Sequence, residues 1–440
     1  MKITTTLVTS TVCCATAMAS PLSDWFASPA AERGQLPESF ASQELNSRDK
    51  VELAKQQVWQ EYKAAATKLG WDKNIPTDAR KMDDWINGNQ IKPLVAKLGE
   101  KTMPYVVITN GEKPADGWPV YFCFHGGGRN PHATEAQTWP VNTKEWLAQM
   151  HLATTKWDAP GLYIIPRMAD DRDGRWYYGY NQEFIDRMIH SAILFNDADP
   201  NKFFIMGISE GGYAAFRLGS MMADRWAGAC GMAASEPLNT SPPENLRHVA
   251  FRCGIGENDT MFNRHILARD YFKELAKMAE ANPGQYINFH DEQKGMGHGI
   301  DYEHGPRWIS KYERTPTPKT ITWTVIKQHD RHRNRLYWLV LDDYQGDLPL
   351  KLTAEATKGN VINLTAHTEK DGKLSEPQNL KLRVYLDESL ADLAKPVTIR
   401  INGDEVFKGQ VEASMEAIVR STAERGDPEQ VYPVQVPVAL

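Results

Sequence analysis

Hydrophobic positions fall into three textures along the chain. From about Asp24 to Ala96 they recur at helical spacing among good helix formers, most clearly in "DKVELAKQQVWQEYKAAATKLG", where Gly70 supplies a helix-ending residue. From about Pro104 to Tyr312 short apolar runs alternate with amphipathic ones. The runs "YVVIT", "PVYFCFH", "LYIIP", "KFFIMG", "HVAFRCGIG" and "YINFHDE" read as strands. "EFIDRMIHSAILFN", "GGYAAFRLGSMMADRW" and "ILARDYFKELAKMAEAN" read as helices among them. Strand and helix in turn predict an α/β fold, with a mostly parallel, doubly wound sheet covered by helices on both faces.

Beyond "ERTPTPKT", whose "TPTP" reads as a linker, the pattern becomes alternation: "ITWTVIKQ", "RLYWLVLDD", "LKLRVYLDE" and "PVTIRINGDEVFKGQV". Asn402-Gly403 is a hairpin signal within the last of these. A small antiparallel β domain is expected from Lys319 to about Gly409, with "EASMEAIVRSTAERGD" adding one closing helix. Trp323, Tyr337 and Trp338 alternate as core residues do, so packing rather than ligand binding is expected of them.

At the start, Lys2 precedes the apolar, small-residue run "ITTTLVTSTVCCATAMA", and Ala17-Met18-Ala19 fits a small-x-small cleavage site. Residues 1–19 therefore read as a secretory leader, too short and Thr-rich to span a bilayer, and place the protein in the periplasm or outside the cell. The expected organisation is then a helical region over 20–96, a catalytic domain over 97–314 and a β-rich region with a terminal helix over 319–440.

Composition narrows the partners. A net charge of −6 over 440 residues gives no basic face for nucleic acid. Of five cysteines, Cys13 and Cys14 fall in the leader. Cys123, Cys230 and Cys253 are sparse and sit in apolar segments, as buried small hydrophobes do. No Cys/His set has zinc-site spacing, and His329 and His332 of "HDRH" lie in a basic loop. Neither a metal nor an organic cofactor is expected.

The candidate chemistry lies in "KFFIMGISEGGYAAF", where an apolar strand turns into a helix with Gly-x-Ser-x-Gly at the bend, the setting of an exposed nucleophile. Ser209 would need a base, a group to orient that base, and donors for an oxyanion. In a doubly wound sheet these gather at the carboxyl ends of strands. "PVYFCFHGGGRNP" runs a strand into His125-Gly126-Gly127-Gly128, so the N–H of Gly127 or Gly126, with that of Glu210, forms the candidate oxyanion hole. "HVAFRCGIGENDTMF" offers Asp259 as the acid, with Glu257 in reserve. "GMGHGIDY" offers His298 as the base, with His290 second. The intervals between Ser209, Asp259 and His298 leave no room for a large lid.

The loop "DDRDGRWYYGYNQEF" is dense in aromatics. His125, Arg175, Trp176 and Tyr177 are candidate substrate contacts. Trp176, Tyr177 and Tyr178 form either an aromatic wall or a cover for the sheet edge. Arg175 either holds a carboxylate or pairs with Asp171 or Asp173.

Through "HGGG", "GISEGG", "GENDTMF" and "GHGID", the stretch from Pro104 to Tyr312 resembles the α/β-hydrolase superfamily. It is most similar to bacterial extracytoplasmic esterases of the carboxylesterase/phospholipase type, related to feruloyl esterases and polyhydroxybutyrate depolymerases. "KPVTIRINGDEVFKG" resembles the C-terminal β module of some of these enzymes. Glu210 departs from the small or neutral residue common after the nucleophile. The resemblance implies a serine carboxylic ester hydrolase acting through an acyl-enzyme on small or carbohydrate-linked esters, with Ser209, His298 and Asp259 as its triad. A prolyl-oligopeptidase-type peptidase shares the triad order but carries a large propeller, which the N-terminal region cannot build. The third reading is a binding protein that acts through its C-terminal β domain.

Overall fold

The structure, a computed structural model, describes residues 20–71, 93–342 and 344–440, so the leader reading and Cys13 and Cys14 lie outside the described residues. The N-terminal part comprises α1 (Pro21–Ala27), α2 (Glu38–Ala41) and α3 (Arg48–Lys68). Ser47 caps α3 by accepting the Lys50 N–H, and Gly70, at φ 74°, turns the chain away beyond its end.

The central part runs β1 (Leu94–Leu98), β2 (Lys101–Asn110), β3 (Trp118–Phe124), α4 (Pro140–Thr155), β4 (Gly161–Pro166), α5 (Gly179–Phe195), β5 (Ala198–Ile208), α6 (Glu210–Met221), β6 (Gly228–Met232), β7 (Ala250–Gly256), α7 (Arg264–Ala281), β8 (Asn288–Gln293) and α8 (His304–Ile309). Its sheet has the order β1-β2-β4-β3-β5-β6-β7-β8. The β1/β2 and β2/β4 pairs are antiparallel, and every pair from β4 onward is parallel. This is the sheet of an α/β-hydrolase fold. Successive strand residues feed opposite faces: Phe122, Ile164 and Ile205 pack on one, and Tyr121, Tyr163 and Phe204 on the other. Both faces are covered, which explains why these strands read as continuous apolar runs.

All six anticipated strands are present, but two were not legible: β1, whose first residues fall in the region read as helical to Ala96, and β6. Its sequence, Gly-Ala-Cys-Gly-Met, carries little bulk, because neighbours fill the space instead. A Cβ on Gly231 would lie 2.6 Å from the Phe216 ring of α6, and one on Gly228 would lie 3.0 Å from Ile309 of α8. Cys123, Cys230 and Cys253 are free and buried in this sheet.

The C-terminal part forms β9 (Thr320–Val325), β10 (Arg335–Leu336), β11 (Leu339–Leu341), β12 (Leu350–Thr357), β13 (Val361–Lys370), β14 (Lys373–Ser375), β15 (Lys381–Leu386), β16 (Val397–Ile401), β17 (Asp404–Gly409), α9 (Met415–Arg425) and β18 (Val434–Ala439). One sheet runs β17-β16-β13-β12-β9, with β14 on β13, and the other β10-β11-β15-β18. The β13/β16 pair is parallel, so the expectation of a wholly antiparallel module is corrected. Asn402-Gly403 joins β16 to β17 as a hairpin. Trp323, Tyr337 and Trp338 are buried.

The "TPTP" segment is pinned rather than free. Gln430 donates to the Pro316 carbonyl at 2.9 Å, Trp338 donates to that of Pro318 at 2.7 Å, and the preceding Arg314 forms a buried ion pair with Asp427 at 2.6 Å. The described N-terminal helices stand against Leu194 and Phe195, at the end of α5 opposite to Gly179, where the loops after the strands gather. They do not cover those loops.

Candidate active site

Ser209 sits between β5 and α6 at φ 55°, ψ −112°, a conformation rarely adopted by a non-glycine residue. The bend is possible because its flanks lack side chains. A Cβ on Gly207 would fall 2.2 Å from the Gly211 carbonyl, and one on Gly211 would fall 1.9 Å from that of Phe124. The Ser209 N–H donates to the Met232 carbonyl at 2.9 Å, tying the bend to β6.

The loops after β7 and β8 bring two side chains to it. His298 Nε2 lies 3.1 Å from Ser209 Oγ, and its Nδ1 lies 2.8 Å from Asp259 Oδ2. A carboxylate only accepts, so Nδ1 carries the proton and Nε2 presents its lone pair to the serine hydroxyl. Asp259 is buried, whereas His298 is 45% exposed, which leaves the serine end of the chain open to substrate. Glu257 instead binds Lys294 and the Gly295 N–H at the surface, and His290 stacks on Phe272.

Arg264, at the start of α7, was not anticipated. Its Nη1 donates to Asp259 Oδ1 at 3.1 Å, and its Nε donates to the Tyr213 hydroxyl at 2.7 Å. It thus holds the carboxylate oxygen that His298 does not use. Arg264→Leu is expected to lower kcat for ester substrates about 10- to 100-fold through misplacement of Asp259, with a smaller change in KM. Steady-state kinetics beside Arg264→Lys, expected to recover part of the loss, checks this.

The glycine loop is fastened on both sides. Asn142 of α4 accepts the Gly128 N–H at 2.9 Å and donates to the Gly128 carbonyl at 3.0 Å. Asp171, itself paired with Arg167, orients that amide at 2.7 Å. His125 Nδ1 lies 2.6 Å from the Gly126 carbonyl, while its Nε2 accepts the Met168 N–H at 3.0 Å. Burial and the nearby Arg167 charge push the His125 pKa down to about 3, so the ring is neutral and Nδ1–H is the donor. With its carbonyl directed at His125, the Gly126–Gly127 peptide turns the Gly127 N–H the opposite way. A Cβ on Gly126 would lie 3.4 Å from the Ser209 Cβ, so this loop lines Ser209. The Glu210 N–H opens α6 and has no acceptor within that helix.

Two expected substrate contacts are corrected. His125 and Trp176 are both fully buried, with the Trp176 Nε1–H donating to the His125 carbonyl at 3.1 Å and its ring packed on Phe124. They support the glycine loop from behind. Tyr177 is half-buried under the Arg217 guanidinium, 4.1 Å from its ring centre, and Tyr178 stacks on His329 at 3.7 Å. Arg175 pairs with neither Asp171 nor Asp173 but with the Glu210 carboxylate.

Glu210 is 2% exposed, and its Oε1 has no partner. Burial pushes its pKa from 4.5 up to about 7 against the pull of Arg175. A group whose pKa rises on folding stabilises the fold fully below its unfolded value and loses that contribution as pH rises through the folded one. The shift corresponds to about 3 kcal/mol. Glu210→Gln is therefore expected to gain stability relative to wild type between pH 4.5 and 8, and urea unfolding of both proteins at pH 5 and pH 8 measures the change.

No family model matches the chain, and no curated protein does. Among solved structures it is similar to a thermostable esterase, at 16% identity and a TM-score of 0.38, over 51% of this chain and 63% of that one. An acetyl xylan esterase from Aspergillus awamori shows 13% identity and a TM-score of 0.34, over 47% of this chain and 93% of that one. A putative dipeptidyl aminopeptidase IV from Bacteroides ovatus shows 14% and 0.35, over 53% and 36%. At such scores the reading of the site rests on this protein's own side chains.

Proposed function

We propose that the protein is a serine carboxylic ester hydrolase, and the observation that carries this is the hydrogen-bonded series from Ser209 Oγ through His298 to Asp259. His298 Nε2 takes the Ser209 proton as Oγ attacks the ester carbonyl carbon. Asp259 holds the imidazole tautomer and stabilises the imidazolium that forms. The Glu210 and Gly127 N–H groups receive the oxyanion, with Gly126 as the alternative donor. Collapse transfers the His298 proton to the leaving alcohol and leaves an acyl group on Ser209. A water molecule, deprotonated by the same nitrogen, then releases the acid.

The substrate class proposed is small or carbohydrate-linked esters. Action outside the cytoplasm belongs to the proposal and rests on the leader-like residues 1–19. Among the described residues no helix is long and apolar enough to cross a membrane.

The test is turnover of p-nitrophenyl acetate, butyrate and octanoate and of methyl ferulate, beside a prolyl p-nitroanilide. Ester turnover without anilide turnover is the expected result, and the chain-length profile sizes the acyl pocket. Turnover of the anilide alone would make the protein a peptidase. Silence of the folded protein on every substrate would move the function to the C-terminal β region.

A further inference from the structure

We propose that Arg175 is a specificity-determining residue that receives a carboxylate carried by the ester substrate, an inference that rests on the ester-hydrolase reading. Among the described residues, five arginines hold a carboxylate through the parallel N–H bonds of Nε and Nη2: Arg172 with Asp170, Arg217 with Glu236, Arg269 with Glu292, Arg307 with Asp158, and Arg383 with Asp342. Arg175 is different. Glu210 takes its Nη1, and among the described residues neither Nε nor Nη2 donates to a protein acceptor. The fork that elsewhere grips a carboxylate is left open on a side chain 36% exposed.

Its position adds the second half of the argument. A Cβ on Gly128 would lie 3.8 Å from Arg175 Nη1 and 3.6 Å from Glu210 Oε2, so the pair rests against the end of the oxyanion loop. Glu210 follows Ser209 directly, which fixes the guanidinium beside the reacting carbonyl. The carboxyl groups against Arg175 and Arg217, Glu210 and Glu236, are buried, at 2% and 5% exposure, and Arg217 holds the second with Nε and Nη2. The half-buried Glu145 lies beside Gly126, 3.0 Å from where its Cβ would stand, so at the Gly128 end of the loop what faces solvent is the positive Arg175. Glu210 acts as a tether that points Arg175, and its other oxygen, buried and without a partner, does not take the open fork.

The experiment compares acidic and neutral esters of matched shape. One pair carries the carboxylate on the acyl side (monomethyl succinate and methyl butanoate), the other on the alcohol side (4-acetoxybenzoate and phenyl acetate). Wild type is expected to favour the acidic member of at least one pair in kcat/KM. Arg175→Gln is expected to reduce that ratio by about 10- to 100-fold, as the loss of a charge-assisted bidentate contact does. Arg175→Lys should recover only part of it, because a point charge lacks the fork. Ratios unchanged within about twofold in Arg175→Gln, or a wild type that prefers the neutral member of both pairs, would overturn the assignment. Should Arg175→Gln fail to fold, the wild-type ratio at rising salt decides: a screened charge contact weakens, and a ratio indifferent to salt contradicts it. Neutral turnover with flat ratios sinks the Arg175 assignment alone, whereas refusal of all four esters sinks the hydrolase reading with it.

Discussion

Replacing Ser209 by alanine is expected to lower kcat for p-nitrophenyl butyrate by about 10⁴-fold or more, with little change in KM. On the proposed mechanism the hydroxyl forms the covalent bond, and its removal leaves the backbone N–H groups of Glu210 and Gly127 in place. His298→Ala is expected to cost about as much. The double variant should be no worse than either single one, because nucleophile and base act as one unit. Two independent losses that multiplied would contradict the arrangement in which His298 Nε2 serves Ser209 Oγ across 3.1 Å.

The second large effect concerns stability. Asp186 of α5 is met by three arginines: Arg333 at 2.8 Å, Arg225 at 3.4 Å and Arg335 at 3.5 Å. Burial alone would raise the pKa of Asp186, but the arginines together hold it well below the usual carboxylate range. The same crowding, with burial as the larger cause, pushes Arg335 down to about 9. Asp186→Asn keeps the shape and removes the charge that all three contact, so a loss of about 3–5 kcal/mol is expected in urea unfolding. Arg335→Met should cost much less, and the pair combined should lose less than the two losses added together. Arg333 and Arg335 come from the C-terminal part, so this cluster also fastens that part to the α/β sheet.

What the sequence disclosed follows from where its information is local. β2 to β5 and β7 were legible because burial on both faces demands apolar residues in succession; β8, an edge strand with no buried residue, was legible only through its short run "YINFH". β6 was not, since Phe216 and Ile309 supply the bulk that its glycines lack. In the C-terminal part, β12 (LKLTAEAT) and β13 (VINLTAHTEK) dilute a few leucines and isoleucine with alanine, threonine and polar residues, a pattern too weakly apolar to stand out. Ser209, His298 and Asp259 come together in the structure because each follows a strand whose end the topology places at one edge. The partners of Arg175 were misjudged for the opposite reason. Asp171 and Asp173 are near in sequence, but Arg167 and Asn142 occupy the first, and the second meets Tyr180 and Lys101. Arg264 and Asn142 belong to no motif, and only the fold shows that they hold Asp259 and Gly128. His125 and Trp176 carry the chemistry of substrate contacts, yet burial turns both into supports.

The most direct test of the account is to treat the protein with a fluorophosphonate and map the adduct by peptide mass spectrometry, for wild type, Ser209→Ala and His298→Ala. A single stoichiometric adduct on Ser209, absent from the alanine variant and formed far more slowly without His298, is the predicted result. Labelling of another residue, or none on a folded wild type, would contradict a nucleophilic Ser209.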